Sequence, residues 1–505
     1  MGVHSRRNVL RGAAVTAGVL AAGPAVAATA SMDGGFKGYI GPDDARYAFL
    51  AGRGYNERFS GSPERIRLVG STDDVVRAVN DAVRAGKRVA VRSGGHCFED
   101  FVDDRAVRVV IDMSAMTGVY YDPARRAFAV EAGATLGEAY RRLFLGWGVT
   151  IPAGWCPQVG VGGHVAAGGY GPLCRRHGLA VDYLYAVEVV VVDRTGAARK
   201  VVATREPTDP NRDLWWAHTG GGGGSFGVVT RYWFRNLPEP PAEVLSFALQ
   251  WSWEGLDEPA FARLVRNHGR WFERHSDRYP DFYTEFLLFR RQQGALMMIG
   301  QASGAGAERV LDEHVAALGA GPTSRTQERQ PWLATALKGP DDTSGWRMKV
   351  KSGYLRRPLT DPQIATAYRH LTTDDPKIVG GAVSLNSYGG RVNAVEPDAT
   401  ATAHRDAILK LFYLAAWTEP ADDARHLEWI REFYRDMYAD TGGVPVHDGA
   451  YIGYPDTDLA DPRWNSSGVP WSTLYFGGNV AGLRAAKRRW DPRNVFHHAL
   501  TPPAA

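Results

Sequence analysis

The sequence predicts an α+β protein built from two domains, and three observations support that prediction. The chain of 505 residues is longer than a single hydrophobic core usually spans. Short apolar strands alternate with amphipathic helices over the first half. The Pro238-Glu239-Pro240-Pro241 break is then followed by longer, aromatic-rich strands with helices between them, which is typical of an antiparallel sheet backed by helices.

Composition narrows the class of protein. Apolar residues at 44% and charged residues at 23% are ordinary for a globular fold, and they exclude a disordered chain or a polytopic membrane protein. The net charge of +4 gives no electrostatic case for binding nucleic acid. The 58 glycines, 15 Trp, 21 Tyr and 19 Phe instead indicate backbone close to a ligand and a pocket with aromatic walls.

The N-terminal residues 1–30 resemble a twin-arginine export signal. Arg6-Arg7 precedes an uncharged Ala/Gly/Val stretch, and Ala25-Val26-Ala27 offers a small-residue cleavage site. The alternative is a membrane anchor, but Ala and Gly bury too little area for a stable span. We therefore expect cleavage near Ala27, a secreted mature protein and no membrane association afterwards.

Periodicity predicts the elements of the first domain, which we place at residues 31–238. Ser71 caps a predicted helix whose apolar positions Val75, Val79 and Val83 share one face, and Gly86 ends it. A second helix is predicted over 136–146. Strands are predicted over 88–92, 107–112, 127–132, 187–192 and 227–234.

The second domain is predicted over residues 239–430, and a C-terminal segment over 431–505. Strands are predicted over 245–253, 282–289 and 295–301, with a helix over 259–275. A helix over 422–438 leads into glycine-rich and proline-rich connections, and a basic helix over 482–489 comes last.

Three glycine clusters interrupt the first domain, at 94–95, 160–171 and 220–224. Without a Cβ, main-chain N–H groups can converge on phosphates, so three clusters favour a bound dinucleotide over ordinary surface loops. A nicotinamide-binding fingerprint fits poorly, because Val165 stands where its third glycine belongs. We also expect Pro157 and the second glycine pair to prevent a helix immediately after Gly160.

Several long segments, in order, resemble the berberine bridge enzyme-like branch of the vanillyl-alcohol oxidase flavoproteins. They are Arg92-Ser93-Gly94-Gly95-His96, Cys156-Pro157-Gln158-Val159-Gly160-Val161-Gly162-Gly163-His164, Gly168-Gly169-Tyr170-Gly171, Gly178-Leu179-Ala180-Val181-Asp182, Gly220 to Thr230, and Trp490-Asp491-Pro492-Arg493-Asn494-Val495-Phe496. The resemblance implies a two-part FAD-binding domain, completed by the C-terminal segment, with the substrate domain inserted. It also implies oxidation of a sugar hydroxyl or secondary-metabolite alcohol to a carbonyl or lactone, with O2 reduced to H2O2.

The same resemblance implies that FAD is covalently bonded through both His96 and Cys156. Imidazole nitrogen and thiolate are nucleophiles able to add to an electron-poor isoalloxazine. The alternative for Cys156 is a buried thiol or a disulfide with Cys97 or Cys174. Further cofactor-binding residues are expected at Arg92, Ser93, Gly94, Gly95, Val159, Gly160, Gly162, Gly163, His164, Gly168, Tyr170, Val229, Tyr451 and Asn494.

Tyr454 is the first candidate for the catalytic base, and Tyr388 is the second. Ala450-Tyr451-Ile452-Gly453-Tyr454 resembles the family segment that carries a tyrosine over the flavin, with Gly453 where the family usually has Asn. A tyrosine has an ordinary pKa near 10, so a base role requires a nearby cation. Lys349, Lys351 and Arg391 are candidates for that cation.

Two rival functions remain open from the sequence. One is a flavin dehydrogenase with an acceptor other than oxygen, although the small Val159, three residues after the flavin cysteine, goes with oxidase behaviour in the family. The other is an exported glycan-binding protein whose aromatics stack on sugars. No metal is expected, since the 14 histidines show no metal-ligand spacing and His497-His498 look like surface residues. The expected partners are a small-molecule substrate and O2, in a monomer or homodimer; the substrate, the oligomeric state and any Cys97–Cys174 pairing stay open.

Overall fold

The computed structural model describes residues 39–339 and 345–503, so the export segment predicted at residues 1–30 lies outside the described residues. Two sheets form the N-terminal half. A parallel three-stranded sheet has the order β1-β3-β2, and a five-stranded antiparallel sheet has the order β4-β5-β8-β6-β7. Their strands are β1 Arg65–Leu68, β2 Val89–Arg92, β3 Val109–Asp112, β4 Val119–Asp122, β5 Ala127–Glu131, β6 Leu184–Val192, β7 Ala198–Thr204 and β8 Val228–Phe234.

The helices of this half include the two that were predicted. Ser71 caps the first helix by accepting a hydrogen bond from the Asp74 N–H, and Val75 and Val79 are fully buried. The predicted strand at 187–192 begins three residues earlier, at Leu184. The helices are α1 Tyr47–Ala51, α2 Thr72–Arg84, α3 Leu136–Trp147, α4 Val161–Ala166, α5 Cys174–His177 and α6 Arg212–Ala217.

Helix α4 contradicts the expectation that no helix follows Gly160. Gly160 is the N-cap in an extended conformation, and Val161 and Val165, four residues apart, are both fully buried. Burial of this apolar pair outweighs the low helix propensity of the two intervening glycines. The sequence expectation was wrong because it weighed local propensity alone.

A seven-stranded antiparallel sheet forms the second half, as predicted, with the order β12-β9-β11-β10-β14-β15-β13. Phe282 and Phe286 pack against the helix Glu258–His275, whereas Tyr283 and Glu285 of the same strand face the opposite side. The strands are β9 Glu243–Ser252, β10 Phe282–Phe289, β11 Ala295–Ala302, β12 Ser324–Pro331, β13 Arg347–Leu355, β14 Gly380–Ser387 and β15 Leu409–Trp417. The helices are α7 Glu258–His275, α8 Ala307–Leu318, α9 Trp332–Leu337, α10 Asp361–Thr372 and α11 Asp423–Met437.

The C-terminal segment returns to the glycine-rich half. It contains α12 Trp471–Phe476 and α13 Val480–Trp490, the latter corresponding to the predicted basic helix. The buried Lys487 Nζ donates hydrogen bonds to the carbonyls of Ser225 and Phe496 at 2.8 and 2.7 Å. This contact fixes the C-terminus beside the glycine run at 220–224. The domain limits at 238 and 430 stay predictions.

Within residues 39–339 and 345–503, no helix combines the length and the apolar character that a membrane span requires.

Candidate active site

A cavity of about 400 Å³ lies where the glycine clusters, the seven-stranded sheet and the C-terminal segment meet. This volume is in the range of ligand and cofactor sites. Its walls include loop residues 92–98, residues of the 154–171 stretch, Gly222, Gly223 and Gly224, and residues 451–455. The three glycine clusters that the sequence singled out therefore share one cavity.

Close backbone packing explains why the first two clusters are glycine. A Cβ at Gly94 would lie 2.3 Å from the Gly160 nitrogen, and a Cβ at Gly160 would lie 2.2 Å from the Gly94 nitrogen. At Gly163 a Cβ would meet no atom within 4 Å and would stand in the cavity itself. The cradle is thus shaped for a group that approaches bare backbone, which fits the diphosphate and flat ring of FAD.

His96 and Cys156 both line this cavity. The His96 ring stacks on Tyr55 at 4.3 Å, and burial lowers the pKa of His96 to about 4, so its imidazole is a neutral nucleophile. Burial raises the pKa of the Cys156 thiol, which donates a hydrogen bond to Gln158 Oε1 at 3.1 Å. All three cysteines are free, so the disulfide alternative for Cys156 is wrong.

Other predicted cofactor residues reach the cavity with their side chains already engaged. Arg92 forms an ion pair with Asp103, and the Ser93 hydroxyl donates to the Ala132 carbonyl. His164 Nε2 accepts a hydrogen bond from the Gly154 N–H at 3.0 Å. These side chains therefore hold the loops in position. The predicted residues that lie on the cavity wall are Arg92, Ser93, Gly94, Gly95, His96, Cys156, Val159, Gly160, Gly162, Gly163, His164, Tyr170, Val229, Tyr451 and Tyr454.

Three predicted residues are not on the cavity wall. Gly168 packs against Thr402, where a Cβ would lie 2.7 Å from the hydroxyl oxygen. Asn494 is exposed, with a positive φ of 52°. Tyr388 lies behind Tyr170, at 5.1 Å between ring centroids, and donates its hydroxyl hydrogen bond to the His404 carbonyl at 3.1 Å. Tyr388 is therefore placed to support the wall from behind.

Tyr454 reaches the cavity beside a cation that the sequence analysis missed, Lys410 of β15. Lys410 Nζ lies 3.4 Å from Tyr454 Oη and 4.0 to 4.5 Å from the ring centroids of Tyr170, Tyr451 and Tyr454. Burial lowers the pKa of Lys410 to about 7, while the Glu285 carboxylate opposes that shift. Burial, followed by Glu285, raises the pKa of Tyr454 above its ordinary value.

The three cations proposed from the sequence do not approach Tyr454. Lys349 and Lys351 are buried in ion pairs with Asp456 and Asp458, and Arg391 is exposed. A lone lysine within the apolar strand at 409–417 was the available signal for Lys410.

The sheet side of the cavity is aromatic with one acid. Trp155 stacks on Tyr283 at 5.6 Å, and Phe412 lies 4.7 Å from Tyr454. Glu285 Oε1 accepts a hydrogen bond from the Tyr283 hydroxyl at 2.5 Å, and burial raises the pKa of Glu285. Glu285 therefore places a carboxyl group on the sheet side of the cavity wall.

The expectation that His497 and His498 are surface residues is wrong, since both are half-buried and line the cavity, and His498 stacks on Phe101 at 3.9 Å. Gly453, which stands where the family usually has Asn, also has a structural reason. At Gly453, a Cβ would lie 2.4 Å from the Tyr451 ring. Glycine at this position therefore lets the Tyr451 ring lie against the backbone before Tyr454.

Comparisons with known proteins agree with this architecture. A family model described as "FAD binding domain" matches residues 63–200, and one described as "Berberine and berberine like" matches residues 450–501. Aclacinomycin-N/aclacinomycin-A oxidase of Streptomyces galilaeus is 55% identical over 482 residues, covering 91% of this chain and 88% of that protein. Hexose oxidase of Chondrus crispus is 32% identical over 510 residues, covering 89% and 92%.

A solved structure of a glycopeptide hexose oxidase complexed with teicoplanin superposes with a TM-score of 0.88 at 51% identity, and the match covers 92% of this chain and 98% of that chain. The two family-model matches contain His96, Cys156 and Tyr454 of the cavity wall, while Gly222 to Gly224 and the seven-stranded sheet lie outside them. The chain belongs to the berberine bridge enzyme-like branch of the vanillyl-alcohol oxidase flavoproteins and is an FAD-dependent oxidoreductase that acts on CH–OH groups.

Proposed function

We propose that the protein oxidises a sugar hydroxyl of a small molecule to a carbonyl or lactone and passes the electrons to O2, releasing H2O2. The observation that carries the proposal is the Tyr454–Lys410 pair at 3.4 Å, of which Tyr454 lines the same cavity as His96 and Cys156. A proton acceptor and two flavin attachment points thus share one site.

His96 and Cys156 are proposed as covalent attachment points for FAD. The neutral imidazole of His96 is ready to form a bond, and both residues stand on the glycine loops that pack against each other. When bound, FAD supplies the hydride acceptor and the electron path to O2. Two bonds hold the cofactor without a closing lid, which leaves the sheet side of the cavity to the substrate.

Tyr454 and Lys410 are proposed to act together as the base. At neutral pH a Lys410 with a pKa of about 7 is partly unprotonated and can take the proton of the Tyr454 hydroxyl across 3.4 Å. The substrate hydroxyl gives its proton to Tyr454 Oη in the same step, because burial raises the pKa of Tyr454 and disfavours a free tyrosinate. The pair shares one proton, so its titration belongs to both groups.

The sheet side of the cavity is proposed to bind the sugar. Aromatic faces at Trp155, Tyr283 and Phe412 offer apolar surface for the C–H face of a sugar ring, and Glu285 accepts hydrogen bonds from its hydroxyls. Two of the relatives are named as hexose oxidases, which supports a sugar as the oxidised group. Tyr388 supports this wall by packing against the ring of Tyr170.

Oxygen access is proposed to pass Val159, whose side chain borders the cavity next to the Cys156 loop. A small side chain there leaves a path for O2, which supports an oxidase over a dehydrogenase that uses another acceptor. The arginine pair and small-residue site of residues 1–30 support export of the folded enzyme.

A substrate screen tests the proposal most directly. Sugars and glycosylated small molecules are offered to the aerobic holoenzyme, and H2O2 release is followed. Tyr454→Phe removes only the hydroxyl, so it should keep its flavin while anaerobic flavin reduction slows by about 10² or more. Unchanged reduction in that variant removes Tyr454 from the mechanism, and peroxide-free turnover with a quinone supports the dehydrogenase.

A further inference from the structure

We propose that a buried charge network holds Tyr454 at a fixed position relative to the loop of residues 96–99, and that Asp456 and Glu99 are positioning residues for the base. The proposal rests on the assignment of Tyr454 as the base. It concerns five charged side chains, which we call the charge network: Glu99, Lys349, Lys351, Asp456 and Asp458.

The charge network joins three segments that are distant in sequence. Lys349 Nζ contacts Glu99 Oε1 and lies 2.7 Å from Asp456 Oδ1. Lys351 Nζ lies 2.8 Å from both Asp456 Oδ2 and Asp458 Oδ2. Glu99 follows His96 by three residues, the lysines belong to edge strand β13, and Asp456 follows Tyr454 by two residues.

Two hydrogen bonds donated by backbone N–H groups also hold the segment that follows Tyr454. Glu99 Oε1 accepts the Thr457 N–H at 3.4 Å, and the Asp456 N–H donates to Tyr475 Oη at 2.8 Å. Phe98, between His96 and Glu99, lies 5.9 Å from the Tyr454 ring. The loop of the proposed flavin attachment therefore contacts the Tyr454 ring through Phe98, and Glu99 connects it to residues 454–458, which we call the base segment.

Burial limits the geometries that the charge network can adopt. The exposed fraction of the five side chains is 1 to 5%. Two lysines and three carboxylates at this depth are tolerated only while they face one another, because an unpaired buried charge is strongly destabilising. Arg58 and Arg431 at the rim pair with Glu99 and Asp458, so the carboxylates have few alternative geometries. A displacement of the base segment would separate charges, and the network resists it.

Asp456→Asn tests the proposal because it keeps the size of the side chain and removes its charge. We expect flavin content to be retained and anaerobic flavin reduction to slow by about 10- to 100-fold, the cost of displacing a reacting group by about 1 Å. If Asp456 acts through Tyr454, the same substitution in a Tyr454→Phe background should slow reduction by less than about 2-fold. Equal slowing in both backgrounds overturns the proposal.

Hydrogen exchange gives a second readout that needs no substrate. Asp456→Asn and Glu99→Gln should each increase amide exchange in both segments 96–101 and 451–460, because either substitution breaks the shared contacts. If exchange rises only in the segment that carries the substitution, the proposed coupling is overturned. If Asp456→Asn fails to fold, Glu99→Gln alone provides this measurement. Asp461→Asn is the matched control: its partner Arg463 is mostly exposed, and neither segment 96–101 nor flavin reduction should change.

The two failures are distinguishable. If Tyr454→Phe leaves flavin reduction unchanged, the base assignment fails, and the exchange result alone then decides whether the charge network couples the two loops.

Discussion

Lys410→Met is the substitution that most directly tests how Tyr454 is activated. Lys410 is buried among the rings of Tyr170, Tyr451 and Tyr454, and burial lowers its pKa to about 7. The pair with Tyr454 therefore loses its shared proton near pH 7, and flavin reduction should rise with pH through about 7 and level off about one unit above it. Below pH 7 the base is protonated, so the rate should fall about tenfold per pH unit.

The magnitude follows from the position of that titration. At about pH 7.5, most of a pair with a pKa of about 7 is unprotonated, whereas a lone tyrosine with an ordinary pKa near 10 is less than about 1% ionised. Lys410→Met should therefore slow reduction by about 10² or more at this pH and should move the rise of the profile from about pH 7 to above about pH 9. The burial that raises the pKa of Tyr454 makes this a lower limit.

The assay is anaerobic flavin reduction across about pH 6 to 10, with a substrate that has no titrating group and with flavin content measured for each variant. Lys200→Met is the control, because Lys200 is an exposed lysine on β7 paired with Asp73 at 3.7 Å. A Lys410→Met profile that still rises near pH 7 would refute the reasoning, as would a wild-type rate independent of pH over this range.

Three further predictions concern the cofactor, oxygen and the substrate. Denatured protein should retain flavin, His96→Ala and Cys156→Ala should each leave one bond and shift the absorption spectrum, and complete acid release from the wild type would contradict the covalent assignment. Val159→Leu adds one methylene at the cavity edge, so reoxidation in air should slow with little change in anaerobic reduction; equal reoxidation rates would make Val159 ordinary packing. Glu285→Gln should raise KM for a sugar substrate at least about tenfold, through loss of charge-assisted hydrogen bonds, and an unchanged KM would remove Glu285 from substrate binding.

Local sequence signals were sufficient for the fold class, because each predicted element had its own pattern, but strands β1, β4, β7 and β12 to β15 were not predicted. Ser71 and the Val75, Val79 face predicted α2, and the aromatic-rich strands predicted the antiparallel sheet. Helix α4 was not predicted because the burial of its two valines, rather than the propensity of its glycines, determines its conformation. Tertiary burial of this kind is not visible in a local window of sequence.

The candidate site was predictable wherever function required an unusual local sequence. The glycine clusters and the residues His96 and Cys156 do share one cavity. Glu285 and Lys410 carry no such signature, since each is the single charged residue of its strand, and only the folded sheet brings Glu285 to the cavity wall and Lys410 to Tyr454. The exposed Asn494 and the occluded Tyr388 show the converse, because a matching motif does not specify which side chain reaches the cavity.

Strand register decides which lysine activates the tyrosine. Lys410 of β15 is paired with Tyr354 of β13, while Lys351 of β13 is paired with Tyr413 of β15. Partners opposite each other share a face and alternate residues point to opposite faces, so Lys349 and Lys351 lie on the other face from Lys410. Lys351 accordingly stands over the Tyr434 ring of α11 at 4.8 Å, whereas Lys410 stands over Tyr454. A shift of one residue would exchange the two faces. The ordinary pKa of tyrosine, near 10, indicated that a basic side chain must lie beside Tyr454, but only the register identifies Lys410 as that side chain.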